Sequence, residues 1–240
     1  MARIIHCVRH AQGVHNLSYA NHDIPDPSLT PLGECQCHDL AKMFLYHDNV
    51  ELVVASPLRR TLHTGLLAFA PEVARGVQVL ALPLLQEASS LPCDTGSDVA
   101  TIEKEFKDTV VDFSEVLEGW QVKENSSLTT AALLDRAEKA RQWLLARQEN
   151  NIVVVSHGCF LHFLTDDWYD SVNTQATGWG NTEFRSYELS GGPESTSLRE
   201  TAESRSRRGL KEFEQNFEQQ NLAEKKITLE TWRKWGIVTG

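Results

Sequence analysis

Two histidines of this chain each follow a short apolar segment with the composition of a β-strand. His10 comes after residues 4–8 and Arg9, and His157 comes after the apolar residues 152–155 and a serine. Ligands bind an open α/β sheet at the edge formed by the carboxyl ends of its strands, so we expect both imidazoles and the Arg9 guanidinium to meet at that edge. Such a group of side chains suits an anionic substrate.

Two further segments could complete a site for phosphoryl transfer, which needs a nucleophile, cations for the transferred oxygens and an acid for the leaving group. A histidine can be the nucleophile when one ring nitrogen is unprotonated, and arginine matches phosphate oxygens bidentately. Residues 55–64 predict a strand-to-helix turn, where backbone N–H groups favour an anion and an arginine lies one turn in. Glu87, among apolar neighbours after a third strand, could keep a raised pKa and act as the general acid.

The alternation of strand-like and helix-like segments predicts an α/β fold that carries these residues. The strand at 184–189 alternates polar and apolar side chains, so we expect it at an edge of the sheet. The full set comprises strands at 4–8, 51–55, 77–82, 152–155 and 184–189, and helices at 33–47, 57–70, 126–148, from 97 and from 159.

Composition narrows the classes of function. The chain has 23 basic and 33 acidic side chains and a formal net charge of -10, which argues against nucleic acid or an anionic membrane as partner. No apolar stretch approaches the length of a membrane span, and Met1-Ala2-Arg3 leads directly into a strand. The five cysteines form no CxxC pair, so we interpret them as free thiols in a reducing compartment and expect a cytoplasmic protein.

The chain is predicted to divide near residue 190, where the acidic excess ends. Residues 1–190 are expected to form the α/β domain, and residues 191–240 a helical extension that packs on the same domain. The tail is expected to form a long surface helix with one aromatic side against the domain and a solvated basic face. The aromatic residues in question are Phe213, Phe217, Trp232 and Trp235, and the arginines are Arg205, Arg207 and Arg208.

Taken in order, the motifs resemble those of the histidine phosphatase superfamily, and they span residues 3–189. Arg60, not Arg59, matches the arginine of the family's Ser-x-Leu-x-Arg motif. The matching segments are Arg9-His10-Ala11 with Asn16, Leu29-Thr30-Pro31-Leu32-Gly33, Ser56 to Thr64, Glu87, His157 within Ser-His-Gly, and Asn181-Thr182-Glu183-Phe184-Arg185. The resemblance implies a phosphoglycerate mutase-like fold, a three-layer α/β/α sandwich with a mostly parallel sheet.

The resemblance also implies roles for individual residues, and it implies no metal or other cofactor. His10, Glu87 and His157 would be catalytic, with His10 forming phosphohistidine and Glu87 donating and later accepting a proton. The predicted phosphate-binding residues are Arg9, Arg60, Asn16 and Asn181.

One position departs from the family, because Ala11 stands where the family usually has glycine. A methyl group there could crowd the phosphate, or fit if the backbone φ is negative. The segment 86–97 resembles a fungal branch of the family.

The resemblance leaves several functions open. The leading prediction is a phosphatase, a phosphomonoesterase that hydrolyses a small-molecule phosphate monoester without a metal. A phosphoglycerate-type mutase is the first alternative, and a recruited scaffold that performs other acid/base chemistry on a metabolite is the second. A protein-interaction module that uses the C-terminal helix is the third. The natural substrate and the oligomeric state do not follow from the sequence.

Overall fold

The computed structural model describes residues 3–169, 171–172, 177–192, 194–210 and 216–239. Within this part of the chain the strands form one seven-stranded sheet in the order β4-β3-β2-β5-β1-β6-β7. The strands are β1 (Arg3–Arg9), β2 (Leu52–Ala55), β3 (Val79–Ala81), β4 (Val111–Asp112), β5 (Asn151–Ser156), β6 (Phe184–Gly192) and β7 (Ser195–Glu200).

Strands β1 to β5 run parallel to one another, and β6 pairs antiparallel with both β1 and β7. The centre of β5 is buried on both faces, as expected for a strand covered by helices on either side. Val153 and Val155 contact one hydrophobic core, whereas Ile152 and Val154 contact the other, because successive side chains point to opposite faces. The predicted three-layer fold with a mostly parallel sheet is therefore confirmed.

Helices cover both faces of this sheet. One core lies between the strands and α5, α6 and α8, and the other lies between the strands and α1, α2 and α4. The helices are α1 (Pro31–Met43), α2 (Arg59–Ala68), α3 (Ala70–Ala74), α4 (Val99–Glu105), α5 (Thr130–Ala146), α6 (Gly158–Thr165), α7 (Ala202–Arg207) and α8 (Phe217–Lys234). None of the helices in the described part of the chain has the length and hydropathy needed to cross a bilayer.

Capping residues set helix starts that differ from the predicted ones. Helix α1 begins at Pro31 rather than Gly33, because the Thr30 hydroxyl accepts a hydrogen bond from the Gly33 N–H and proline suits the first turn. Helix α5 begins at Thr130 rather than residue 126, because Thr129 caps it and a 3₁₀ turn occupies the preceding residues.

The prediction of an edge strand at 184–189 is wrong. Strand β6 pairs with β1 on one side and with β7 on the other, so β7 is the edge. The sequence Gly191-Gly192-Pro193 suggested the end of a domain, but Gly192 pairs with Ser195 across a hairpin. The boundary predicted at residue 190 thus falls inside a strand, and the division into domain and extension stays a prediction.

The tail contributes buried side chains as well as a surface helix. Leu229 and Trp232 of α8 are buried in the core shared with α5 and α6. The expected solvated basic face is wrong for Arg205, which is buried and forms an ion pair with Glu200 at 3.7 Å. Phe213 lies outside the described residues.

Candidate active site

The predicted histidines meet at the carboxyl edge of the sheet. Strands β1 and β5 are neighbours, and Arg9 stands opposite Ser156 in their register. His10 and His157 follow these two strands, and their ring centroids are 5.2 Å apart. The parallel pairing of two strands that are distant in sequence therefore brings both imidazoles into one site.

The hydrogen bond of His10 fixes the tautomer of its ring. Nδ1 lies 2.7 Å from the Ala11 carbonyl oxygen, which can only accept, so Nδ1 carries the proton and Nε2 keeps a lone pair. Burial and the nearby Arg60 and Arg9 guanidinium groups hold the pKa of His10 well below its usual value of 6.5. His10 is therefore a neutral imidazole with one nitrogen available as a nucleophile.

Behind His10, a chain of hydrogen bonds holds a buried guanidinium. Arg60 Nη2 donates to Asp94 Oδ1 at 2.8 Å and to His157 Nδ1 at 3.0 Å. Because Nδ1 of His157 accepts, its Nε2 carries the proton and donates to the Ser56 hydroxyl at 2.9 Å. Burial and the Arg60 charge lower the pKa of His157 well below its usual value. The arginine in this buried hydrogen-bond network is Arg60, whereas Arg59 pairs with Glu105.

Glu87 lies at the start of α6, where backbone N–H groups hold its carboxyl group. Oε1 accepts from the amides of Ala88 at 2.8 Å and Phe160 at 2.9 Å, and Oε2 accepts from the amide of Cys159 at 3.2 Å. Burial and the neighbouring Asp94 charge nevertheless raise the pKa of Glu87. A carboxyl group with a raised pKa is suited to donating a proton.

Lys123 holds the loop that carries Glu87, and its role has no signal in the sequence. Its Nζ donates to the carbonyl oxygens of Glu87 at 2.9 Å, Ser89 at 2.7 Å and Asp94 at 2.7 Å. Asp94 in turn accepts from the Ser89 hydroxyl. A single lysine in a polar loop therefore fixes both the predicted acid and the carboxylate that pairs with Arg60.

The three remaining predicted residues each form a hydrogen bond with a backbone group of the protein. Arg9 donates to the Trp179 carbonyl, and its buried Nε has no hydrogen-bond partner among the described residues. The Asn16 side chain accepts from the Gly13 N–H at 3.0 Å. Asn181 Nδ2 donates to the His10 carbonyl at 2.9 Å, so this side chain holds the end of β1. Phosphate contacts by these residues stay predictions.

Gly13 makes room for a further histidine that the motif comparison missed. A Cβ at Gly13 would lie 2.8 Å from the His15 ring, which is closer than van der Waals contact allows, so the ring can take this position because glycine is there. The His15 ring is 5.3 Å from the His10 ring. Burial, Arg60 and Arg9 lower the pKa of His15 to about 2, so it is also neutral.

Ala11 fits its position without strain. It is fully buried, its φ is not in the left-handed region, and its N–H donates to the Thr64 hydroxyl at 3.0 Å. Its carbonyl is the one that orients His10. The substitution of the family's usual glycine therefore leaves the local backbone bonding complete.

A cavity of about 620 Å³ opens onto these residues. We call the buried group around its base the site floor, and its members are His10, Arg60, Glu87, Asp94 and His157. We call the outer, partly apolar group the cavity mouth, and its members are Tyr19, Leu91, Lys234, Trp235 and Ile237. Arg60 and His157 are fully buried, behind the lining residues His10 and Asp94.

Two cysteines also line the cavity wall, but neither is suited to be a nucleophile. Burial raises the pKa of Cys93 to about 12, and burial and Glu87 raise that of Cys159 well above its usual value. Both are therefore thiols rather than thiolates at neutral pH. Among the described residues, no three His, Cys, Asp or Glu side chains are grouped as a metal site would require.

A sequence profile of the histidine phosphatase superfamily (branch 1) matches residues 5–221. The chain belongs to this superfamily. The match extends through all the motifs on which the resemblance rested and into the tail beyond residue 190.

Curated relatives carry mutase and phosphatase names. Phosphoglycerate mutase-like protein 1 of Arabidopsis thaliana is 31% identical over 227 residues, which cover 77% of this chain and 80% of the relative. A probable phosphatase of Schizosaccharomyces pombe is 33% identical over 110 residues, 43% of this chain and 50% of the relative. The proposed likeness to a fungal branch stays a prediction.

Solved structures share the fold at low sequence identity. The ecdysone phosphate phosphatase of Bombyx mori superposes with a TM-score of 0.58 and 16% identity, covering 83% of this chain and 92% of that one. A mycobacterial glucosyl-3-phosphoglycerate phosphatase superposes with a TM-score of 0.51 and 18% identity, covering 83% and 97%. At these identities the likeness establishes the fold.

Proposed function

We propose that this protein hydrolyses a small-molecule phosphate monoester through a phosphohistidine on His10, without a metal ion. The observation that carries the proposal is the hydrogen bond from His10 Nδ1 to the Ala11 carbonyl, which leaves Nε2 unprotonated on a residue that lines the cavity. Two arginines, Arg9 and Arg60, supply the positive charge that a transferred phosphoryl group needs.

In the first step, His10 Nε2 attacks phosphorus in line with the leaving oxygen. A P–N bond forms as the P–O ester bond breaks, and Glu87 gives its proton to the departing alkoxide. Arg9 at the cavity wall binds the phosphoryl oxygens, and the buried Arg60 and His157 stabilise their charge from behind His10. The raised pKa of Glu87 supports this role, because a protonated carboxyl group is required at this point.

In the second step, the Glu87 carboxylate takes a proton from a water molecule that attacks the phosphohistidine. The P–N bond breaks, its electron pair returns to Nε2, and inorganic phosphate leaves. The depressed pKa of His10 favours the unprotonated ring before each cycle, so the nucleophile is ready in mildly acidic as well as neutral solution.

The alternatives differ in what the site must retain. A mutase would have to keep a bisphosphate bound while it turns over in the cavity, and its turnover would depend on a bisphosphate primer. The recruited-scaffold alternative rests on Ala11, whose backbone bonding and orientation of His10 are complete in this structure.

Turnover of an aryl phosphate in excess chelator, with wild type and His10→Ala compared, tests the proposal. We expect chelator-resistant turnover in wild type, no turnover in the variant, and an acid-labile phosphoenzyme trapped by rapid quenching in wild type alone. His38→Ala is the matched control, because His38 is exposed on α1, and it should keep full activity.

A folded wild type that neither turns over the aryl phosphate nor forms a phosphoenzyme would refute the proposal. Turnover that requires added bisphosphate would assign the mutase reaction instead. Weak binding of vanadate, which resembles the pentacoordinate phosphoryl group, would favour the recruited scaffold.

A further inference from the structure

The end of the chain is fixed over the cavity by anchors on both sides of an exposed tryptophan. Trp232, the last large core residue of α8, is 2% exposed, and Val238 is 1% exposed. Between them Gly236, with φ at 71°, ends the helix, and the Ile237 N–H donates to the Trp232 carbonyl at 2.9 Å. Thr239 is bonded through its backbone to the residues that precede α5. The segment is therefore held in one conformation.

Apolar side chains are left exposed at the cavity mouth by this arrangement. Trp235 is 62% exposed although its backbone is fixed, and Tyr19, from the other end of the sequence, is 84% exposed. Leu91 and Ile237 line the cavity with them. Exposed large apolar side chains grouped around a cavity are typical of a ligand-binding surface.

The mouth also holds a cation. Lys234 lines the cavity and has no hydrogen bond or ion pair among the residues that the structure describes. The two carboxylates of the site floor are both engaged, since Asp94 pairs with Arg60 and Glu87 accepts three backbone N–H groups. The Lys234 ammonium is therefore available to a ligand.

Resting on the phosphatase function proposed above, we propose that the cavity mouth selects the leaving group of the substrate. The substrate is the phosphate monoester of an apolar, ring-bearing alcohol that carries a second anionic group. The ring packs between Tyr19 and Trp235, and the second anion pairs with Lys234. The cavity volume of about 620 Å³ lies within the range of roughly 300–1,000 Å³ that holds a drug-sized molecule, and it is far larger than a phosphate group requires.

Three phosphate monoesters test the ring contact and the ion pair separately. They are glycerol 2-phosphate, which has neither a ring nor a second anion, 2-naphthyl phosphate, which has the ring alone, and 6-carboxy-2-naphthyl phosphate, which has both. We expect Trp235→Ala to lower kcat/KM for both naphthyl esters about tenfold, the scale of a lost aromatic contact, and to leave glycerol 2-phosphate unchanged. We expect Lys234→Met to lower the preference for the carboxylated ester by about threefold to fivefold, as an exposed ion pair would.

Matched controls come from the same helix. Leu222→Ala removes an exposed apolar side chain of α8, and Lys226→Met removes a lysine of α8, both outside the cavity lining. Neither variant should change the relative kcat/KM values of the three esters. Equal losses on all three in Trp235→Ala, or an unchanged preference for the carboxylated ester in Lys234→Met, would overturn the proposal.

A binding measurement keeps this proposal separate from the catalytic one. Calorimetry with His10→Ala measures the affinity for each ester without turnover, and the double variant with Trp235→Ala should bind both naphthyl esters about tenfold more weakly. If wild type turns over none of the esters but the double variant binds both naphthyl esters more weakly as expected, the phosphatase function fails while the selectivity of the mouth stands. If turnover occurs but the double variant binds the naphthyl esters as tightly as His10→Ala does, only the proposed selectivity fails.

Discussion

The site floor and the cavity mouth differ in whether their side chains are buried with partners or exposed to solvent. In the floor, every ionisable group is buried and has partners: Arg60 bonds to Asp94 and His157, and Glu87 bonds to three backbone amides. In the mouth, Trp235 and Lys234 are exposed on a segment whose backbone is nonetheless fixed. The floor therefore sets protonation states before substrate arrives, whereas the mouth keeps its contacts for the substrate.

This contrast explains why the two regions should respond differently to change. A buried charge that loses its partner is left in a medium of low polarity, so damage to the floor affects stability and catalysis together. A mouth residue is already in contact with water, so its loss should affect the choice of substrate and little else.

The largest expected effect is acid unfolding driven by buried histidines. The pKa of His6 is lowered to about 4 and that of His15 to about 2, and those of His10 and His157 lie well below 6.5. Between these values and 6.5 the unfolded chain binds protons that the folded protein excludes, so stability is present above pH 6.5 and is lost as pH falls. Each histidine contributes a slope of about 1.4 kcal/mol per pH unit.

Urea unfolding at pH 7.5 and pH 5.0 measures this effect, and we expect the free energy of unfolding to fall by several kcal/mol. The variant His15→Gln should reduce the slope by about one proton, whereas His38→Gln, at an exposed position, should not. The raised pKa of Glu87 acts in the opposite direction for a single proton. An unchanged transition midpoint at pH 5.0 would contradict the burial of these four histidines as neutral rings.

Glu87→Gln is expected to have the next largest effect, on rate rather than stability. Loss of a general acid typically costs about 10²–10⁴ in kcat. In wild type, kcat/KM should fall with rising pH as Glu87 loses its proton, at a pH above the usual carboxyl range because its pKa is raised. The variant should lack this basic limb, and the exposed Glu118→Gln should keep it. A basic limb that persists in Glu87→Gln would assign the acid role to another group.

Asp94→Asn probes the link between charge and pKa within the floor. Removing the charge leaves the buried Arg60 without its ion pair, so we expect a loss of about 3 kcal/mol in the free energy of unfolding. Because Asp94 is one cause of the raised pKa of Glu87, the basic limb of the pH profile should move to lower pH. Asp108→Asn, at an exposed carboxylate, is the control. An unmoved basic limb would contradict the coupling.

The smallest expected effect is on stability, at Gly236 in the turn between the mouth residues Trp235 and Ile237. In Gly236→Ala the new methyl group would meet no atom within 4 Å, so the only cost is the left-handed backbone, about 1 kcal/mol. Gly192→Ala is a matched control, since its methyl group also meets open space and its φ is not left-handed. Thermal unfolding should separate the two variants, and equal melting temperatures would show that the turn is not strained.

The sequence predicted the floor far better than the mouth. His10 and His157 are predictable because each ends a strand, and parallel strands bring their carboxyl ends to one edge. Arg60 was distinguishable from Arg59 only by the motif, and the structure pairs Arg59 with Glu105 at 2.7 Å instead.

The missed residues act through contacts that leave no local pattern. Lys123 reaches three carbonyl oxygens across the fold, and Asp94 matters through its pairing with Arg60. Strand β7 was missed for a related reason. The pair of glycines before Pro193 suggested a boundary, whereas β7 and the buried Trp232 tie the tail into the sheet and the core.

The interior position of β1, between β5 and β6, has a consequence for how the protein acquires its site. Ile4 pairs with Asn151 and Arg9 with Ser156, so His10 and His157 come together only when two distant parts of the chain associate. Pairings of such high contact order slow folding, because the entropy of closing a long loop is lost before the contacts form. Catalytic competence should thus appear late in refolding, in step with the closure of the sheet around its first strand.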